Sequence, residues 1–144
     1  MPATPEQLHA ALTYCMDFAR KMLEDAGEFF PFASFINPSG QVEAVGAWLG
    51  EEHPKVQDVY AFLSQSLQAK RKDGGAVGTA LCVNVNIPKE YSPPLPDGLR
   101  VHLETAGYSR FVYVPYEVTK SGWLSRKTTV KFAQPFSVEL DPQS

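Results

Sequence analysis

Residues 29–54 read FFPFASFINPSGQVEAVGAWLGEEHP. Phe30, Phe32, Ser34 and Ile36 alternate with Phe29, Pro31, Ala33 and Phe35. Both sets are largely apolar, which predicts a strand covered on two sides. Pro31 cannot donate a ladder hydrogen bond, so it belongs at the start of that strand or on an edge. Asn37-Pro38-Ser39-Gly40 has the residues of a type I turn: Asn first, Pro second, Gly fourth. Val42 to Leu49 then returns as a partner strand, which makes a β-hairpin. Gly50-Glu51-Glu52-His53-Pro54 hands over to a helix, with Pro54 suited to its first turn and the two acids favoured at its positive end.

On the N-terminal side, Thr4-Pro5-Glu6-Gln7 predicts a capped helix start, and Leu8, Leu12, Cys15, Phe18 or Ala19 and Met22 recur at helical spacing. The helix is expected over 5–26, with Gly27 as its stop. On the C-terminal side, Val56, Val59 or Tyr60, Leu63 and Leu67 predict a second amphipathic helix that breaks at Asp73-Gly74-Gly75. Its last turn holds Lys70-Arg71-Lys72, where positive charge complements the helix dipole.

The rest reads as β. Over 76–87, Val77, Thr79, Leu81, Val83, Val85 and Ile87 share one face, and Ala76, Gly78, Ala80, Cys82, Asn84 and Asn86 the other. Residues 88–98 hold four prolines and predict a loop. Further strands are expected over 99–105, 111–116 and 128–132, with a turn at 106–109 and Trp123 plugging the core. Residues 134–144 read as a tail with one edge strand at 136–140. The expected fold is therefore α+β: an antiparallel sheet of five to six strands with two helices, in the order α-β-β-α-β-β-β(-β). One domain spans 1–144, with an ordered core over about 4–133.

At 144 residues the chain is long enough to bury a core, and 44% hydrophobic with 20% charged residues is ordinary globular usage. The formal net charge of -3 predicts no nucleic-acid footprint. No apolar run approaches a membrane span and no signal peptide is visible, so no membrane association is expected. The two cysteines, Cys15 and Cys82, lie in patterned apolar segments and fit a reducing, cytoplasmic compartment.

Phe30, Pro31, Phe32, Gly40, Gly50, Glu52, His53 and Pro54 resemble a signature of small cytoplasmic bacterial proteins to which no activity attaches. Arg100-Val101-His102-Leu103-Glu104 and Tyr113-Val114-Pro115-Tyr116 are similar to it too. The element order resembles profilin-like and roadblock-like domains. These resemblances imply a cytoplasmic single domain, and roadblock-like domains often pair, which implies self-association. They imply no catalytic residue.

Glu51, Glu52 and His53 form a polar cluster at the expected start of the second helix. As metal ligands they lack a second histidine nearby, so they read as partners for free helix amides, and no metal or cofactor is expected. Asp73-Gly74-Gly75-Ala76-Val77-Gly78 lacks the Gly-Lys-Ser/Thr ending of a phosphate loop and precedes a strand, so it reads as a connection. The most suggestive surface combines Cys82, Asn84 and Asn86 with Arg100, His102 and Glu104. If the two strands pair with these residues on one face, an acid, an imidazole and a guanidinium would converge there. The competing reading is a solvated or dimerising sheet face with cross-strand ion pairs. The functional expectation is thus a non-catalytic protein-interaction or adaptor-type domain with a protein partner or a second copy. Its rival is a small-molecule-binding protein or enzyme using Asn84, Arg100, His102 and Glu104.

Overall fold

The chain opens with a helix held by its own sequence. A computed structural model describes residues 2–46, 54–122 and 127–142. Helix α1 runs Pro5–Ala26, as expected. Thr4 Oγ1 accepts from the Gln7 amide, and the Gln7 side chain accepts from the Thr4 amide, so two end donors are satisfied reciprocally. Gly27 closes the helix with φ 78°, a left-handed conformation that glycine adopts without strain.

Strands β1 (Phe32–Ile36) and β2 (Val42–Val45) form the expected hairpin. Pro31 lies just before β1. The Asn37 side chain accepts from the amides of Ser39 and Gln41, which fixes the turn. The reading of a strand out to Leu49 holds for Val42–Val45; 47–49 lie outside the described residues. So do Glu51, Glu52 and His53, and Trp123. Helix α2 runs Val56–Lys72, so Pro54 falls ahead of its first turn and Lys55 is the cap residue, with no side-chain cap bond. Asp58 is the acid in the first turn. Val59, Leu63 and Leu67 are buried as the spacing predicts, whereas Val56 is exposed.

Strands β3 (Gly78–Asn86), β4 (Asp97–Thr105), β5 (Tyr108–Ser121), β6 (Lys127–Phe132) and β7 (Phe136–Glu139) complete one antiparallel sheet of seven strands. The order is β2-β1-β3-β4-β5-β6, with β7 also on β5. The sheet has one strand more than the upper expectation, because the C-terminal segment joins it through Phe136–Glu139. β5 outruns the expected 111–116 in both directions. Its far end, Glu117–Ser121, is exposed and pairs only with β6, so no buried face stamps an alternation on its sequence.

The outer edge of β5 carries a bulge. Tyr116 pairs with Phe132 and Tyr113 with Phe136. β5 advances three residues between these pairs and the outer strand advances four, so one residue is extra. Phe132 consequently packs with α1, while Phe136 stacks on Tyr113 on the other face.

The two helices lie on opposite faces of the sheet. α1 packs with Ile36, Ala80, Cys82, Leu99, Val101, Leu103, Val112 and Val114. α2 packs with Ala33, Phe35 and Leu81. Thr105 ties the N-terminus to the sheet: its hydroxyl accepts from the Ala3 amide at 2.8 Å and donates to the Val77 carbonyl at 2.7 Å.

Candidate functional site

Strand register decides which candidate residues meet. On paired antiparallel strands, opposite residues share a face. Leu81 pairs with His102, Val83 with Arg100 and Thr79 with Glu104. Cys82 pairs with Val101, Asn84 with Leu99 and Asn86 with Asp97. The expected six-residue cluster is therefore split by the sheet, and the expectation of one shared face is corrected. Arg100, His102 and Glu104 stand on the α2 face. Cys82, Asn84 and Asn86 stand on the α1 face, where Cys82 is fully buried and Asn84 accepts a hydrogen bond from the Tyr116 hydroxyl.

On the α2 face, β5 and α2 supply partners that the sequence pattern did not join to the site. Phe111 pairs with His102, Tyr113 with Arg100 and Ser109 with Glu104. His102 Nε2 lies 2.9 Å from Ser109 Oγ and 3.6 Å from Glu104 Oε1. Arg71 Nη1 of α2 lies 3.4 Å from Glu104 Oε2. Burial pushes the imidazole below its ordinary value; Glu104 opposes this, and Arg100 and Arg71 add to it. The ring is therefore neutral at neutral pH, and its contact with Glu104 is then not an ion pair.

A serine, a histidine and a glutamate in contact invite a hydrolase reading. The geometry does not support it. A relay needs the acid on one ring nitrogen and the nucleophile on the other, whereas here both approach Nε2. Ser109 is also buried, which keeps its hydroxyl from an incoming substrate. The arrangement is a hydrogen-bonded cross-strand cluster.

Arg100 is placed differently. Its guanidinium carbon sits 4.4 Å from the Phe111 ring centroid and 5.9 Å from that of Tyr60 on α2. Its Nε is buried and has no hydrogen-bond partner among the described residues. Such an orphaned donor costs about 1–3 kcal/mol, more when charged. None of the ion pairs among the described residues uses Arg100. Burial raises the Tyr113 phenol, and the charge of Arg100 and its hydrogen bond to the phenol oppose the rise.

An aromatic strip continues outward from Arg100. Tyr113 stacks on Phe136 at 5.3 Å, and Tyr91, in the 3-10 turn Lys89–Tyr91, lies 5.5 Å from Tyr113. α2 packs over β1 and β3, and its Tyr60 and Arg71 reach Arg100 and Glu104 of β4. Among the described residues no helix covers the face of β4, β5 and β7, with Phe111, Phe136 and Val138 half-buried and Tyr91 at 37% exposure. Between α2 and β4 lies a polar cavity of about 190 Å³, lined by Tyr60, Ser64, Gln68, Arg71, His102 and Glu104 among others.

The parity of Arg100, His102 and Glu104 was legible in the sequence. Phe111 and Tyr113 show the same alternation, yet their position opposite those residues depends on a two-residue turn, Ala106–Gly107, which sets the register. Arg71 and Tyr60 come from a distant helix and left no local signal. Among the described residues, no three His, Cys, Asp or Glu side chains group as metal ligands, and no helix is long and apolar enough to cross a membrane. No protein-family model, curated protein or solved structure matches the chain.

Proposed function

We propose that this chain is a non-catalytic binding module that takes a protein partner on the part of its sheet that α2 leaves open. The observation that carries this reading is the surface around half-buried Phe111 on β5 and Phe136 on β7, beside Arg100 of β4, with no helix over it among the described residues. Aromatic and arginine side chains on one surface are the residue types that dominate binding energy at interfaces. The two buried, free cysteines favour a reducing compartment, so we place the module in the cytoplasm. Replacing Phe111 by the photocrosslinker benzoylphenylalanine in cells that make the protein tests the reading. A discrete protein adduct is expected there, and none from the same probe at Gln65 on the exposed side of α2. Equal adducts at both positions, or none at Phe111, would remove it.

A second reading rests on the polar cavity between α2 and β4. Its lining offers a guanidinium, an imidazole, a carboxylate and two neutral polar side chains, enough to orient a small polar ligand. Native mass spectrometry of the purified protein decides between the two. A stoichiometric small-molecule mass that disappears in Arg71→Gln would favour the cavity.

A further inference from the structure

We infer that the open strip recognises a carboxylate, and that the occupant is an acidic segment of a partner protein whose Asp or Glu docks on Arg100. This inference rests on the interaction reading above and names the partner's chemistry.

Three observations converge on Arg100. The guanidinium lies over Phe111 and faces Tyr60, so its charge is held against aromatic surfaces while the side chain stays half-exposed. None of the ion pairs among the described residues uses Arg100. The neighbouring carboxylate, Glu104, is already engaged by Arg71, so it does not neutralise Arg100. A half-buried guanidinium without an ion pair among the described residues, next to an apolar strip, is complementary to an anion next to apolar side chains.

The guanidinium fork matches a carboxylate, which can accept two parallel N–H bonds. A phosphate dianion fits less well. It calls for more than one free cation, and Arg71 is committed to Glu104. Beyond Arg100, half-buried Phe111 and Phe136, packed on buried Tyr113, offer apolar contact to residues flanking the acid. A peptide segment supplies both parts; an isolated small carboxylate supplies only one.

The test selects random peptides displayed on phage against the immobilised full chain, then measures the winners in solution by fluorescence anisotropy. Selected peptides are expected to carry Asp or Glu beside an apolar residue. Changing that acid to its amide should weaken binding by at least about tenfold, and Arg100→Gln should do the same. Arg100→Lys should recover only part of the loss, because an ammonium is a point charge without the fork. The acid-to-amide change needs no altered protein, so the result does not depend on how the variants fold. Winners without acids, equal binding by Arg100→Gln, or no winner at all would overturn the inference. In those cases a crosslink at Phe111 would still uphold the interaction reading, so the two fail separately. Displacement of the peptides by free glutarate as effectively as by the acidic peptide itself would reassign the site to a small carboxylate. A wild-type dimer in sedimentation that Arg100→Gln dissolves would reassign it to a second copy of the chain.

Discussion

His102 shows how one side chain's setting converts into a measurable property. Its side chain is 23% exposed and is held between Ser109, Glu104 and the Phe111 ring. Burial, the largest cause, lowers its folded value below the ordinary 6.5. Between the folded and unfolded values the unfolded chain binds more protons, so stability rises with pH there. The contribution is complete above about pH 6.5 and is lost as pH falls from there through the folded value. Urea midpoints measured between about pH 7.5 and about pH 5 should fall more in the wild type than in His102→Gln. An equal fall in both would mean that another group carries the acid sensitivity. Alternation alone places His102 and Glu104 together. It does not reveal Ser109, seven residues away on the next strand, because that contact depends on register.

Among the elements, the outer edge of β5 is where one residue changes the most. The bulge between Phe132 and Phe136 lets β6 serve the α1 face while β7 presents Phe136 and Val138 to the opposite one. A glycine inserted after Gln134 would force either a wider bulge or a register that turns Phe136 away from Tyr113. The Leu140 amide, which donates to the Ser109 carbonyl at 3.0 Å, reports on this pairing. Its exchange protection should drop to near that of a frayed terminus, while amides in the β4–β5 ladder keep theirs. Retained protection at Leu140 would show that β7 tolerates the shift. The edge strand at 136–140 was legible from Phe136 and Val138. The bulge was not, because nothing in Ala133-Gln134-Pro135 says which β5 residue each side will meet.

At the level of the whole molecule, the sheet is sandwiched between helices over β1 and β3 and has one helix over the rest. Cys15 on α1 and Cys82 on β3 are both fully buried on the α1 side. Burial, followed by the neighbouring Cys15, pushes the Cys82 thiol well up, which removes the thiolate that alkylation needs. Iodoacetamide near neutral pH should therefore label both thiols at least about a thousandfold more slowly in the native protein than in the unfolded one, with the rate following global opening. Rapid labelling of Cys82 in the folded state would contradict this core.

The sequence by itself determined the local elements. A capping box and a terminal glycine bound α1, a type I turn builds the hairpin, and alternation marks β3 and β4, because each signal acts over a few residues. Tertiary structure alone decided what meets what. Alternation tells which residues share a face of one strand, but not which face looks toward which helix. The register of β3 on β4 separated Cys82 and Asn84 from Arg100 and His102. The same pairing, carried across to β5 and beneath α2, brought Phe111, Tyr113, Tyr60 and Arg71 to them. Those contacts arise from packing between segments far apart in the chain, and neither local propensity nor spacing encodes them.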